Sequence, residues 1–178
     1  MENTISFNTT FGWISASETN NKITKVQFGR KKNRGIKTKS LRNLEKKILS
    51  FFKGKIDKLD IKIFSKGNLI QKRIWQELKQ IKKGEIKTYG EIAKKFKVSP
   101  RYIGRVCGEN RHVLIIPCHR VIRTDKTLGG FSAPRGKKLK YRAFKALLSK
   151  LSDKSMADQK ETLLKYMTDW MGKEEQID

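Results

Sequence analysis

Cys118 and its neighbours are the best candidates for covalent chemistry in this sequence. Cys118 and His119 are adjacent and follow a β-branched apolar run that ends at Pro117. Cysteine attacks as its thiolate, and a nearby histidine or cationic group raises the thiolate fraction. The run predicts a buried strand or extended segment over 113–117, so a Cys–His contact there needs a bend or a bridging water. A packed core cysteine beside a structural histidine explains the same pair without chemistry.

Two short helices are expected just before this cysteine. Thr88 and Glu91 have the spacing of a capping box, which marks the start of a first helix. Ser99 and Pro100 form a cap followed by proline at the first helical position, and this second helix should stop at Gly108. Two helices joined by a tight turn are typical of a helix-turn-helix, although many such pairs do not bind DNA.

The N-terminal third reads as a small layer of strands and one helix. Apolar alternation over 4–29, interrupted by a turn cluster at 18–21, predicts a β-hairpin, and 30–39 is a basic loop. Helical spacing begins at residue 41 and stops at residue 54, and alternation over 59–63 predicts a further strand. We find no residues there with the types and spacing of a reaction site.

These elements predict an α+β/α architecture in three parts. Residues 1–66 form a small sheet-plus-helix domain that supports the rest. Residues 67–150 form a mainly helical DNA-binding domain with the helix-turn-helix, a Cys-bearing strand or loop, and a closing helix over 138–148. Residues 151–178 form an acidic helical tail.

The charge is large and unevenly distributed. The 178 residues carry 42 Lys and Arg against 17 Asp and Glu, a net charge of +25. Residues 153–178 have 7 acidic and 4 basic residues, so the first 152 residues carry +28 and the tail −3. Such a basic body suits a polyanion, because neutralising phosphates releases counterions. A lysine-biased surface would give the same count.

The apolar runs and the cysteine count disfavour a membrane protein, a secreted protein and a disulfide-rich protein. No apolar run approaches the roughly 20 residues of a membrane span, and the N-terminus lacks the apolar region of a signal peptide. We therefore expect a cytoplasmic protein. Two cysteines, Cys107 and Cys118, allow neither a disulfide framework nor an all-cysteine zinc site. We expect Cys107 to be a packed core residue.

The wider string Ile116-Pro-Cys-His-Arg-Val-Ile122 closely resembles the active-site signature of the O6-alkylguanine-DNA alkyltransferases, also called methylated-DNA–protein-cysteine methyltransferases. The resemblance extends over most of the chain in blocks of compatible order and spacing. These blocks are residues 10–13, 70–78, 84–93, 99–104 and 128–133, with an asparagine, Asn110, eight positions before the cysteine.

The resemblance implies repair by direct reversal of damage. An alkylated guanine would be flipped from duplex DNA through the minor groove, and its O6-alkyl group would pass once to Cys118. O4-alkylthymine is a possible second substrate. The implied catalytic residues are Cys118, His119 as base through a water, and Tyr89 as proton donor. Arg101 would fill the space left by the flipped base. The remaining implied DNA-contacting residues are Ser99, Tyr102, Gly104 and Arg120, and the implied pocket residues are Asn110, Pro117, Phe131 and Ser132. We expect no metal, no cofactor and a monomer.

Three positions depart from the family pattern. Phe131 stands where the family often has Tyr, and Tyr102 stands where a small residue is common. The Glu that orients the histidine in the family has no counterpart near 145–147.

Three other functions are compatible with parts of the pattern. The first is a helix-turn-helix regulator without alkyl transfer, which needs base-reading polar residues where this chain has Tyr102, Ile103 and Val106. The second is a non-reactive relative that binds alkylated DNA, and the presence of Cys118 disfavours it. The third is a cysteine hydrolase, for which no triad partner is evident.

Overall fold

The computed structural model describes residues 2–9, 12–82 and 85–125. Its N-terminal part is a three-stranded antiparallel sheet of β1 (Asn3–Thr9), β2 (Gly12–Thr19) and β3 (Lys22–Phe28), in the order β1-β2-β3. The hairpin predicted over 4–29 is thus two consecutive hairpins. In the second turn Asn20 and Asn21 have φ of 50° and 60°, the left-handed region that asparagine tolerates in tight turns.

Helix α1 (Lys39–Phe52) packs on this sheet, as its spacing predicted. The Thr38 hydroxyl caps it by accepting a hydrogen bond from the Leu41 amide at 3.3 Å. Leu41, Leu44 and Ile48 form its buried face and are fully inaccessible. Each contributes about 1.5–3 kcal/mol by leaving water. The sheet and α1 therefore share one apolar core.

The strand predicted over 59–63 is wrong. Leu59 and Ile61 are buried in the core under the sheet, but the backbone makes only an isolated parallel bridge between Ile23 and Ile63. The Phe64 amide donates to the Ile23 carbonyl at 2.8 Å. The alternation reflects side chains anchored in the core by an extended segment, without a ladder of hydrogen bonds.

Three helices build a second core. They are α2 (Leu69–Leu78), α3 (Tyr89–Phe96) and α4 (Pro100–Gly108), and their fully buried residues include Ile74, Leu78, Ile103 and Val106. The capping box of Thr88 and Glu91 and the Ser99 cap both form, so the predicted helix pair is confirmed. Lys97 ends α3 in the left-handed conformation, which makes the turn between the two helices short.

A short parallel pairing connects the start of α3 with the segment after Cys118. Strand β4 (Lys87–Thr88) pairs with β5 (Val121–Ile122), which follows a 3₁₀ turn over Cys118–Arg120. Because β4 leads directly into α3, this pairing holds the first turn of α3 beside the 3₁₀ turn. The sheet and helices thereby bring two distant parts of the sequence to one place.

The closing helix predicted over 138–148, the loop over 128–133 and the tail over 151–178 lie outside the described residues. No helix of the part described is both long and apolar enough to cross a membrane.

Candidate active site

Cys118 lies at the end of a buried turn, where the sequence predicted a strand. Residues 113–116 are all buried, but Leu114 has φ of 71° and the Ile116 amide donates to the His112 carbonyl at 2.9 Å. The apolar run therefore satisfies its backbone locally and folds back, which an alternation pattern does not reveal. The prediction of an extended segment over 113–117 is wrong.

Cys118 and His119 lie with Arg120 in one 3₁₀ turn. The Cys118 amide donates to the Ile116 carbonyl at 2.8 Å, and the Arg120 amide donates to the Pro117 carbonyl at 2.9 Å. Cys118 and His119 are 4% and 2% exposed, so both are shielded from bulk water. The backbone is bent at Cys118–Arg120, where a Cys–His contact was expected to need a bend or a bridging water.

Asn110 aims a hydrogen-bond donor at the sulfur. Its Nδ2 lies 3.1 Å from Cys118 Sγ and 2.9 Å from the Ile116 carbonyl oxygen. Its Oδ1 accepts from the His112 amide at 2.8 Å, which leaves the NH₂ side facing Cys118. A donor at this distance stabilises the thiolate more than the thiol, because hydrogen bonds to an ionised acceptor are the stronger ones.

His112 holds the Asn110 segment against the N-terminal sheet, and the sequence analysis missed it. Its Nε2 lies 3.3 Å from the Ile23 carbonyl oxygen, and it is 2% exposed. Burial lowers the pKa of His112 to about 4, against the opposing effect of that carbonyl. The Val26 amide donates to the Arg111 carbonyl at 2.7 Å, and the Val113 amide donates to the Val26 carbonyl at 3.1 Å. A histidine directly before an apolar run, two residues after Asn110, was the available signal.

Tyr89 occupies the first position of α3, beside the two thiols. Burial, followed by the nearby Cys107 and Cys118, raises the pKa of the Tyr89 hydroxyl above its usual value, with Arg123 opposing. The hydroxyl therefore stays protonated at neutral pH and is able to donate. The β4–β5 pairing places it there, so two residues 29 positions apart in the sequence share one site.

Arg120 points inward, away from the exposed face where a DNA contact was expected. It is 7% exposed, and its Nη1 donates to the Ile81 carbonyl. Burial lowers the pKa of Arg120 to about 10, with Glu85 opposing. Its position fits an anchor between the 3₁₀ turn and the end of α2.

The outer face of α4 carries the other residues expected to meet DNA. The Ser99 hydroxyl accepts from the Tyr102 amide at 3.2 Å, and Arg101 is exposed in the first turn. Arg105 stacks over the Tyr102 ring at 4.8 Å, so both side chains are held along the helix. Nothing lies within 4 Å of a Cβ added at Gly104, which leaves open space on this face.

The remaining candidates are the residues of the substrate pocket and a metal site. Phe131 and Ser132 lie outside the described residues, whereas Pro117 is buried between Ile116 and Cys118. Within residues 2–9, 12–82 and 85–125, no group of three or more His, Cys, Asp or Glu is arranged to hold a metal ion. Cys107 packs against the second core while still partly exposed.

Sequence comparisons identify relatives of this chain. A family model described as "6-O-methylguanine DNA methyltransferase, DNA binding domain" matches residues 69–149. A methylated-DNA–protein-cysteine methyltransferase from Metallosphaera sedula is 36% identical over 132 residues, which cover 73% of this chain and 83% of that protein. The protein of the same name from Sulfolobus acidocaldarius is 34% identical over 75% of this chain and 85% of its own length. In several other relatives of that name the aligned part spans only 56–60% of their length.

Solved structures share the fold. The crystal structure of Mycobacterium tuberculosis O6-methylguanine methyltransferase superposes with a TM-score of 0.74 at 22% identity, covering 88% of this chain and 99% of the other. A crystal structure of the M. tuberculosis protein in complex with DNA gives a TM-score of 0.69 at 23% identity, covering 90% and 98%. These likenesses show that the chain shares the overall fold of these proteins.

Proposed function

Because this chain belongs to the methylated-DNA–protein-cysteine methyltransferase family, we propose that it repairs DNA by moving an alkyl group from guanine O6 to Cys118. The observation that carries the proposal is the Asn110 amide, which donates to Cys118 Sγ at 3.1 Å behind a helix-turn-helix. The fixed Asn110 donor favours the thiolate of a sulfur whose burial opposes ionisation, and the basic body of the protein suits a DNA partner. The names of the relatives disfavour a regulator that lacks alkyl transfer.

The reaction is a single in-line displacement. His119, through a water, takes the thiol proton, and the thiolate attacks the alkyl carbon on O6. A carbon–sulfur bond forms, the carbon–O6 bond breaks, and its electron pair stays on the departing guanine. Tyr89, which burial keeps protonated, supplies the proton that neutralises the guanine anion. The thioether product has no thiolate, so each molecule acts once.

DNA would bind along α4. The substrate atom lies inside the duplex, so the guanine must rotate out of the stack before the sulfur reaches it. Arg101, exposed in the first turn of α4, is placed to fill the vacated space. Ser99, Tyr102 and Gly104 lie on the same short helix and would contact the backbone of a minor groove, whose degenerate readout suits a lesion found in any sequence. The substrate would be duplex DNA bound by a monomer in the cytoplasm or nucleoid.

The division of labour follows the two cores. We assign a supporting role to residues 1–66, and DNA binding and alkyl transfer to residues 67–150. Residues 151–178 are the acidic tail. Two apolar cores support this division. Val113, Leu114 and Ile115 pack into the N-terminal core, whereas Ile116 and Cys118 belong to the second. The segment before the nucleophile therefore spans both, and the N-terminal domain braces the active site.

Intact-mass spectrometry tests this function directly. Equimolar mixing with a duplex containing O6-methylguanine should add one methyl group, mapped to Cys118, and Cys118→Ala should show no added mass. Cys107→Ala is the matched control, because it removes the other thiol and should still gain a methyl group. Cys118→Ala should also still bind duplex DNA. The proposal fails if the reduced wild-type protein gains no mass while the lesion persists.

A further inference from the structure

A cluster of cationic side chains lines a cavity at the N-terminal sheet, and Cys118 is not part of this lining. A cavity of about 380 Å³ opens between the β2–β3 turn, strand β3 and the segment at 64–66. The residues that matter in its lining are Glu2, Lys22, Lys25, Phe64, Lys66 and Arg111. We call it the β3 cavity. Its volume falls within the range of about 300–1,000 Å³ typical of small-molecule sites.

The β3 cavity holds positive charge that the described protein does not neutralise. Four cationic side chains face one carboxylate, that of Glu2. Among the residues that the structure describes, none of the four forms an ion pair. Burial, then Lys31 and Arg111, lower the pKa of Lys25, and Glu2 opposes them. An anion placed in the cavity would relieve this mutual repulsion.

An aromatic ring lies beside these cations. Phe64 is 44% exposed. Its amide donates to the Ile23 carbonyl at 2.8 Å, so its backbone is tied to the sheet. An exposed ring among lysines matches the combination with which proteins bind single-stranded nucleic acids, in which bases stack and cations follow the phosphates.

We propose that the β3 cavity binds a phosphorylated nucleoside, with the phosphate on Lys22, Lys25 and Lys66 and the base on the Phe64 ring. The ligand is either a free nucleotide or one unit of an unpaired DNA strand. Arg111 connects the cavity with the candidate active site, because it directly follows Asn110, which contacts Cys118. This inference does not depend on alkyl transfer.

Nuclear magnetic resonance titration of the ¹⁵N-labelled full chain tests the site. The probes are inorganic phosphate, thymidine monophosphate and an undamaged octathymidylate strand. Amide signals of Thr24, Lys25 and Phe64 should shift with a probe that carries a base. Saturation by the monophosphate identifies a free nucleotide as the ligand, whereas shifts with the strand alone identify an unpaired strand.

Matched variants separate this site from general electrostatic attraction. Lys22→Gln with Lys66→Gln should weaken binding at the cavity about tenfold, because each exposed lysine contributes a modest ionic contact and two are lost. Lys46→Gln with Lys53→Gln removes the same charge from α1 and its end, outside the cavity, and should weaken binding by less than about twofold because salt screens distant charges. Phe64→Leu keeps an apolar side chain but lacks the ring face, and should weaken binding about fivefold or more.

The inference is overturned by any of three results. The cavity signals stay unshifted with all probes, both lysine pairs weaken binding equally, or phosphate alone binds as tightly as the monophosphate. Methyl addition to Cys118, measured on the same samples, reports on the proposed function separately. An intact transfer reaction with silent cavity signals would refute this site alone.

Discussion

Replacing Asn110 separates a chemical role from a structural one. Asn110→Asp keeps the side-chain size and the oxygen that accepts from the His112 amide at 2.8 Å. It replaces the NH₂ group, 3.1 Å from Cys118 Sγ, with a carboxylate oxygen. Both Asn110→Asp and Asn110→Ala lose the 2.9 Å bond to the Ile116 carbonyl, and Asn110→Ala also loses the contact with the His112 amide. If Asn110 only holds the turn through the His112 amide, Asn110→Asp should transfer faster than Asn110→Ala. If Asn110 stabilises the thiolate, Asn110→Asp should transfer more slowly.

The structure gives the size of the effect. A hydrogen bond to a charged acceptor contributes about 1.5–3 kcal/mol, so Asn110→Ala should slow transfer about 10- to 150-fold near neutral pH. Asn110→Asp loses the same bond and adds repulsion between two negative charges. At the present separation this repulsion reaches at most about 5 kcal/mol with an effective dielectric constant near 20. Partial exposure of Asn110 screens it, so we expect at least about tenfold slower transfer than in Asn110→Ala.

Single-turnover transfer measured by quenched mass spectrometry between pH 7 and pH 9 is the assay. The deficit of Asn110→Ala should shrink as pH rises, because the thiolate population then depends less on the amide donor. Circular dichroism and thermal unfolding show whether each variant is folded under the assay conditions. Equal or faster transfer by Asn110→Asp than by Asn110→Ala, with both folded, would refute the role of Asn110 as a thiolate donor.

Three further predictions concern the surrounding structure. Arg101→Ala should slow transfer from duplex DNA about tenfold or more but barely change transfer from a single strand, because no base stack must be opened there. The exposed control Lys94→Ala should affect both substrates equally. Equal slowing of both substrates by Arg101→Ala would contradict base displacement by Arg101. His112 has a folded pKa of about 4, below that of the unfolded chain, so its contribution is complete above about pH 6.5 and declines as pH falls toward 4, by about 3 kcal/mol in total. Urea unfolding of His112→Gln should lose this part of the pH dependence, and a slope unchanged from wild type would count against it. Trp75→Phe removes the donor to the Val106 carbonyl at 3.0 Å and should lower the free energy of unfolding by about 1–3 kcal/mol in the same assay, with no change meaning that this carbonyl finds another donor.

Local chemistry in the sequence was a good guide where a single residue fixes the backbone. The caps at Thr88 and Ser99 mark helix starts within one residue because their side chains accept from specific orphan amides. The proline at position 100 marks a start because it has no amide hydrogen that needs an acceptor. The buried face of α1 followed directly from 3.6-residue spacing. These signals depend on neighbours close in sequence, so they need no knowledge of the fold.

Apolar runs were a poorer guide, because burial alone does not fix backbone conformation. Residues 59–63 alternate and 113–117 are continuously apolar, yet neither forms a strand. In both places the side chains fill a core, but the backbone amides do not pair along a strand ladder. The Phe64 amide donates to the Ile23 carbonyl, and the Ile116 amide donates to the His112 carbonyl. The Ile23 carbonyl lies in a strand distant in sequence, and the His112 carbonyl is reached across a turn in which Leu114 is left-handed, which no periodicity predicts.

The same limit explains which parts of the candidate site the sequence could suggest. Cys118, His119 and Asn110 stood out by residue type and by family resemblance, but the role of His112 depends on a contact between residues 89 positions apart. That contact has a consequence for the reaction. The Asn110 amide is oriented by the His112 amide, and the β-bridge between Val26 and His112 holds this segment on β3. The N-terminal sheet should therefore influence the reactivity of Cys118 through the Asn110 segment. A truncated chain that begins at residue 67 should therefore lose transfer activity even if its helices still bind DNA.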